Sequence, residues 1–357
     1  MFLRNVFASN FRSFKELSCA FSEGVNLIYG PNGSGKTNFL EAIHFSLTGK
    51  SFRTRNDNNL IKWKKDRIVT EANYLKDGQK RFIKINFSKV EGKEINLNGL
   101  SRVKTHSLFY ETNLVVFTGG SVGLVKGEPF LKRHFLDRLS LKLNREFSLI
   151  MSRYNQTLKN RNILLKNYDN LKKNENLFKI LTEELVSLSK IVQNERTKIV
   201  SRLNLEINRL TSENEQFKNL NRIYIEYEPV EISMEKVNSL LKEEIRRKTT
   251  LIGSHIDNVT IVDKDFSIKD FSSEGEQKLA SILLKLCELN IIEEEAKNVP
   301  ILLLDDIASE LDSCNAELVF NYVKNRNQVF ITALCELNIY SDKIFKLPFE
   351  KDSLCLR

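Results

Sequence analysis

The sequence predicts an α/β fold in which the two ends of the chain build one sheet and the middle is a helical insertion. Three observations carry this expectation. A glycine-rich octapeptide, Gly30-Pro31-Asn32-Gly33-Ser34-Gly35-Lys36-Thr37, lies between a short apolar run, Val25 to Tyr29, and the helically spaced Asn38 to Ile43. A continuous apolar run, Val299 to Leu304, has the texture of a parallel strand buried on both faces. Between them, residues 130–222 contain neither Gly nor Pro, and apolar residues recur there at three- and four-residue spacing.

The N-terminal elements read as mixed strand and helix. Phe2 to Phe11 and Val25 to Tyr29 are expected strands, and Arg81 to Phe87 alternates with period two. Lys93 to Leu97 follows, closed by the turn signal Asn98-Gly99, so a small antiparallel sheet should stand beside the glycine-rich loop. From Pro129 onwards the spacing of Leu181, Leu185, Leu188 and Val192, then Ile199, Leu203, Ile207 and Leu210, predicts three or four helices with at least one hairpin. The Asn-rich stretch Asn167 to Asn176 favours a compact bundle over a long coiled coil. Ile223 to Tyr227 reads as a strand, a helix runs to about Arg247, and residues 278–296 form an amphipathic helix. Val329 to Thr332 is the next parallel strand after the Val299 run.

At 357 residues, the chain can hold two domains, or one large domain with an insertion. With 55 Lys and Arg against 46 Asp and Glu, the formal charge is +9, which suits a polyanionic partner, nucleic acid before membrane. The lysine surplus travels with heavy Asn and Ile usage, so compositional bias accounts for part of it. Cys19, Cys287, Cys314, Cys335 and Cys355 form no C-x-x-C pair and have no His at ligand spacing, so neither zinc nor a disulfide framework is expected. The reading is of small apolar residues in a reducing cytoplasm. Nothing at the N-terminus has a signal-peptide pattern and no 18 apolar residues run together, so the expected location is cytoplasmic, without a membrane partner.

The octapeptide spells G-x-x-x-x-G-K-T in the strand, loop, helix context of a phosphate-binding loop. Glycines let the backbone turn back so that its N–H groups cradle phosphate oxygens, and the helix beginning near Gly35 adds its positive end. Lys36 can reach β- and γ-phosphates, and the Thr37 hydroxyl can take a Mg²⁺ position. The apolar run from Val299 ends in Asp305-Asp306, and two carboxylates at the end of a central strand are costly unless they meet a cation or act chemically. Asp305 is the natural Mg²⁺ ligand or its support, and Asp306 is placed to polarise a water.

Upstream stands Phe271-Ser272-Ser273-Glu274-Gly275-Glu276-Gln277-Lys278, and downstream Ser309-Glu310-Leu311-Asp312. Ser-x-Gly-x-Gln before a helix, an apolar strand ending in two carboxylates, and Ser-x-Leu-Asp together resemble the ABC-type ATPases of chromosome maintenance. Further stretches narrow the likeness to the RecF family of bacterial recombination mediators: Asn10-Phe11-Arg12-Ser13-Phe14, Gly30 to Glu41, Gly49-Lys50-Ser51-Phe52-Arg53, Leu124 to Pro129, Phe135-Leu136-Asp137 and Leu302 to Asp312. The resemblance implies an ABC-type ATPase head with a P-loop and a mixed sheet, built from residues 1–125 and 248–357, with a helical lobe at 126–247. It implies that ATP is held by Arg12, Gly30, Pro31, Asn32, Gly33, Ser34, Gly35, Lys36, Thr37 and Asn38, and Mg²⁺ by Thr37 and Asp305. Lys36 and Asp306 would be catalytic, Asp306 as general base. Ser273, Gly275 and Asp312 would complete the site of a second subunit. Such proteins bind ATP, dimerise, hydrolyse it slowly with stimulation by DNA, and associate with double-stranded DNA at single-strand junctions. They work with RecR and RecO to help RecA replace single-strand-binding protein.

The chain departs from the family pattern at three places. Glu274-Gly275-Glu276-Gln277-Lys278 stands for Gln-Gly-Gln-Gln-Arg, and its carboxylates repel a neighbour's γ-phosphate unless they turn away. Gly253-Ser254-His255-Ile256-Asp257-Asn258 stands for Gly-Pro-His-Arg-Asp-Asp, and Thr118-Gly119-Gly120 for a Pro-Glu-Asp type segment. His44, His106 and His134 have no shared spacing; His44 reads as packed or solvated, and His255 belongs at the edge of a site. Arg133 and Arg138 read as structural ion-pair residues. Lys62, Lys64 and Lys65, with Trp63 between, either meet DNA phosphates or form a solvated face. Two other classes are weighed: a RecF-like effector module of a defence or toxin system, for which no nuclease motif is present, and a transporter ATPase subunit, against which the helical insertion and the Arg12 segment argue.

Overall fold

Alternating apolar residues fold the N-terminal third into an antiparallel sheet, and continuous apolar runs form a second, parallel one. The structure is a computed structural model describing residues 1–118, 123–167, 173–264, 266–296, 299–306, 313–326, 328–336 and 341–349. Two compact units result, Met1–Ser121 with Leu289–Arg357, and Val122–Glu288. Residues 248–288 therefore group with the helical unit, whereas the sequence reading set 248–357 in the head.

The first unit begins with β1 (Phe2–Ser9), β2 (Glu16–Ala20), β3 (Val25–Tyr29) and α1 (Lys36–Thr48). There follow β4 (Arg67–Lys76), β5 (Gln79–Ser88), β6 (Gly92–Leu97), α2 (Thr105–Glu111) and β7 (Leu114–Phe117). The antiparallel sheet has the order β2-β1-β4-β5-β6. The Asn98-Gly99 turn forms as expected: Asn98 and Gly99 have φ of 51° and 88°, the geometry of a type I′ turn, and Leu97 bridges Leu100. The C-terminal part supplies β11 (Ile301–Leu304), β12 (Val329–Ala333) and β13 (Lys343–Lys346), giving the order β13-β3-β12-β11-β7 with every pair parallel. The two ends of the chain thus share one sheet. Strands β7 and β13 were not foreseen: each has four residues, too few to show a period, and neither adjoins a motif as β11 adjoins Asp305-Asp306.

Helix α1 is buried on every side rather than along one stripe. Its Phe39, Leu40, Ile43 and Phe45 join Leu3 and Ile83 of the antiparallel sheet and Leu303 and Phe330 of the parallel one in a single core. Each fully buried side chain of this size contributes about 1.5–3 kcal/mol, so the loop preceding α1 is anchored in the core of the unit.

In the second unit, α3 (Gly123–Lys126) leads to α4 (Pro129–Leu143) and α5 (Arg145–Lys166), then α6 (Glu175–Glu213). Pro129 sits in the first turn of α4, where its missing N–H costs nothing. Asn144 caps α5 by accepting from the N–H groups of Glu146 and Phe147. The bundle expected from the sequence contains one 39-residue helix, α6, roughly 58 Å long at 1.5 Å per residue. Phe147 and Tyr154 of α5 pack on Leu185, Leu188 and Val192 of α6. The unit continues with β8 (Ile223–Glu228), α7 (Met234–Arg247), β9 (Asn258–Asp263), β10 (Phe266–Ser267) and α8 (Ile268–Phe271). Helix α9 (Glu274–Ala296) carries the chain onward from the Ser273 segment.

Candidate nucleotide site

The glycine-rich loop is shaped by two glycines whose positions exclude a side chain. A Cβ on Gly30 would lie 2.2 Å from the carbonyl oxygen of Leu347. Gly35 is the N-cap of α1 at φ 100°, a left-handed conformation that costs glycine little. No side chain caps α1 and its first turn holds no acidic residue, so its leading N–H groups have no intrahelical acceptor and its positive end is not neutralised. Ser34 Oγ is buried with no hydrogen-bond partner among the described residues. An orphaned hydroxyl beside an uncapped helix start fits an anionic phosphate ligand.

Lys36 is buried, and its ammonium donates to the carbonyl oxygens of Gly30 at 2.7 Å and Pro31 at 3.1 Å. It is thereby held along the loop it must serve. At the carboxyl end of β11, Asp305 Oδ1 accepts from Thr37 Oγ1 and from Thr332 Oγ1, each at 3.0 Å. Burial pushes the Asp305 carboxyl above its ordinary range, the two hydroxyls pull it back, and the neighbouring Asp306 charge pushes it up again. A desolvated carboxylate joined to a threonine hydroxyl of the loop is the oxygen donor set that Mg²⁺ takes. The Asp306 N–H donates to Thr332 Oγ1 at 2.7 Å, and Asp306 adopts φ 52°, a left-handed conformation tolerated by Asp. Thr332, expected only as a strand residue, therefore ties both carboxylate residues together. Its signal was the polar side chain inside an otherwise apolar strand.

Arg12 reaches this region by a second missed residue. Glu41 of α1 is fully buried and accepts from Arg12 Nε at 2.8 Å and Nη2 at 2.9 Å, a bidentate pair. Arg12 Nη1 donates to the Asn59 carbonyl at 2.7 Å. Ser51 Oγ also donates to Glu41, and Arg53 Nη1 donates to Asn38 Oδ1 at 3.1 Å. The Asn-Phe-Arg and Ser-Phe-Arg stretches are thus gathered round one carboxylate, four residues after Thr37. The available clue was a single acid, Glu41, set between Leu40 and Ala42 in the apolar middle of the helix.

Across residues 2–351 the chain matches the family model described as RecF/RecN/SMC N terminal domain. It is 33% identical over 98% of its length, and 96% of the relative's, to the DNA replication and repair protein RecF of Lactobacillus gasseri. The chain belongs to the RecF family. Among solved structures it is similar to a recombination mediator RecF with ATP, of the RecFOR pathway, at 29% identity and a TM-score of 0.87, covering 97% of this chain and 95% of that one. An Smc head bound to the C-winged helix domain of ScpA shares the fold, at 16% identity and a TM-score of 0.55 over 97% and 94% of the chains. A RecF member is thus an ABC/SMC-type ATPase head by fold. Among the described residues, no helix is long and apolar enough to cross a membrane.

The RecF signature segment takes an unexpected form here. Ser273 and Glu276 make a reciprocal capping box at the start of α9. Glu276 Oε2 accepts from the Ser273 N–H at 2.8 Å and from Ser273 Oγ at 2.9 Å, while Ser273 Oγ accepts from the Glu276 N–H at 3.3 Å. These bonds from Ser273 hold the Glu276 carboxyl below its ordinary range. Gln277 Nε2 donates to the carbonyls of Ile268, Lys269 and Ser272, fixing the approach to the helix. Glu274 lies 3.7 Å from Lys278 and 3.8 Å from Lys126. A Cβ on Gly275 would touch nothing within 4 Å, so this glycine leaves open space around the helix start. Asp312, with Ser309 to Leu311, lies outside the described residues, as do Gly119 and Gly120.

His255 and its neighbours turn inward within the helical unit. The Thr250 carbonyl can only accept, so His255 Nε2 carries the proton towards it at 3.2 Å, and Nδ1 accepts from Tyr154 Oη at 2.8 Å. Burial lowers its pKa and keeps the ring neutral. Fully buried Asp257 accepts from Arg196 Nη1 at 2.9 Å, Tyr227 Oη at 2.6 Å and Gln193 Nε2 at 2.9 Å. Arg133 Nη1 donates to the Asp257 main-chain carbonyl at 2.5 Å, a bond to backbone rather than the ion pair expected of it. His44 is packed as well, its Nδ1 donating to the Lys50 carbonyl at 2.7 Å.

Proposed function

We propose that this chain is an ATP-dependent, DNA-binding homodimer that acts in recombinational repair and replication restart at single-strand gaps. In this reading it binds double-stranded DNA at ssDNA–dsDNA junctions and, with RecO and RecR, helps load RecA in the cytoplasm. The observation that carries it is the Thr37–Asp305–Thr332 cluster beside the uncapped start of α1, in a chain of this family. Bound Mg-ATP supplies a γ-phosphoryl group that can pass to water. Lys36, Ser34 and the loop N–H groups bind the phosphates, and Arg12, aligned by Glu41, flanks them. Thr37 and Asp305 hold Mg²⁺, and Asp306 accepts the proton of the attacking water.

Ser273, Gly275 and Asp312 of one subunit close on the nucleotide of the other, so ATP stabilises the dimer by mass action. Hydrolysis, slow and stimulated by DNA, then resets the dimer. The test is gel filtration with and without Mg-ATP. The wild type should shift to a dimer with ATP, and Lys36→Ala should remain a monomer; a dimer unchanged by ATP or by this substitution contradicts the proposal.

A further inference from the structure

The segment Lys62-Trp63-Lys64-Lys65 takes no part in the nucleotide site, yet it is tied to its surroundings by backbone and side-chain hydrogen bonds. Trp63 is 85% exposed. A covered indole hides 150–250 Å² or so, and buried aromatic anchors dominate interfaces. The Lys65 N–H donates to the Lys62 carbonyl at 3.0 Å, so Trp63 and Lys64 occupy the tip of a turn. Lys64 sits there at φ 62°, a conformation in which a long side chain is uncommon. The turn is braced from below. The Lys62 N–H donates to the Asn10 carbonyl at 2.8 Å, the Arg12 N–H to the Leu60 carbonyl at 2.7 Å, and Phe11 bridges Ile61. Lys62 Nζ donates to the Ser13 carbonyl, and Ser13 Oγ accepts from Asn38 of α1 at 3.0 Å. The indole is therefore presented on a mount that continues to the nucleotide loop.

Charge selects the ligand. Lys64 and Lys65 are exposed and have no ion-pair partner among the described residues. Arg67 is exposed next to them, and Lys89 donates to the Lys65 carbonyl at 3.1 Å. The one acid of the turn region, Asp66, is 91% exposed and lies 3.7 Å from Lys89. Cations around a projecting aromatic face match phosphates around a base. Within a duplex both faces of each base are already stacked, so the indole needs a base free of its neighbour.

We propose that the Lys62–Lys65 turn is a DNA contact in which Trp63 stacks on an unpaired base at the edge of a duplex while Lys64 and Lys65 take the adjoining phosphates. This rests on the DNA-binding reading above and assigns the surface that performs it. Trp63 is the chain's single tryptophan, so emission excited at wavelengths that tyrosine does not absorb reports on this turn alone.

The full-length protein with Mg-ATP is titrated with unlabelled gapped duplex, blunt duplex or polyglutamate, while binding is followed separately by anisotropy of labelled DNA. Gapped DNA should quench Trp63 emission strongly and blunt duplex little. Trp63→Ala should weaken gapped-DNA binding about tenfold and leave blunt duplex within about twofold, with Trp63→Tyr largely restoring it. Lys64→Ala with Lys65→Ala should weaken both DNAs and lower the salt slope by about 2. Gapped DNA that binds without altering Trp63 emission, and at equal strength to Trp63→Ala, overturns the assignment while leaving DNA binding intact. Emission that responds to polyglutamate but not to DNA also overturns it, in favour of an acidic protein partner. No DNA binding by anisotropy contradicts the repair reading itself.

Discussion

Two helix starts, those of α1 and α9, share a physical device and use it in opposite ways. At α1 the N-cap is Gly35, no side chain caps the N–H groups, and no acid lies in the first turn. At α9, Ser273 and Glu276 satisfy one another, and Glu274 adds a further negative charge. Both helices present a positive end. One leaves it for an external anion, and the other covers it with the chain's own carboxylate. The difference means that the role proposed for Ser273 carries a prior step: to meet a phosphate, its hydroxyl would first have to leave Glu276.

Substitutions at each start can break or sharpen this contrast. The largest effect belongs to α1. Lys36→Ala removes a buried charged donor, and ATP affinity measured by calorimetry should fall by about 2–3 kcal/mol, roughly 30- to 150-fold. Asp306→Asn should abolish hydrolysis in a phosphate-release assay yet leave that affinity within a few-fold; equal loss of both removes the general-base role. At α9 the effect should be smaller and of the opposite sign. Glu276→Gln keeps a capping partner for Ser273 but removes the charge facing an incoming phosphate, so ATP-dependent dimerisation should tighten several-fold in sedimentation runs. A weaker dimer would show that Glu276 aids closure.

The smallest effect concerns acid. The Glu276 carboxyl is held below its ordinary value of 4.5, so the stability its bonds contribute is present above that pH and is lost as pH falls through the lower folded value. Because the group is exposed, solvent screens it and the change is slight. Melting temperatures of wild type and Glu276→Gln should converge only as the pH falls below about 4.5; parallel curves there would remove the charged cap.

Much of this was legible in the sequence because the informative residues are contiguous. Gly30 to Thr37 and Ile301 to Asp306 each carry strand, turn and chemistry in one short run, so the phosphate loop and the carboxylate that meets it could be named in advance. Residues that act across long separations were not legible. Nothing local shows that Glu41 collects Arg12 and Ser51, or that Thr332 bonds Asp305 27 positions away. His255 looked like a site-edge residue, yet its partner Tyr154 stands 101 positions earlier and draws it into the helical unit. The Asn-rich stretch Asn167 to Asn176 favoured a compact bundle over a long coiled coil, and α5 ends at Lys166 and α6 begins at Glu175, at its edges. Beyond it the continuous apolar stripe from Phe178 to Leu210 runs on as one 39-residue helix, a length that the local spacing did not show.

The central claim, that each nucleotide is enclosed by groups from two copies of the chain, is tested most directly by mixing two inactive variants. Lys36→Ala lacks the loop lysine, and Ser273→Ala lacks the hydroxyl offered across the interface. Alone, neither should hydrolyse ATP. In a mixed dimer, one site combines an intact Lys36 with an intact Ser273, so ATP turnover measured by phosphate release should return to a sizeable fraction of wild type. A mixture no more active than its two components would contradict the account.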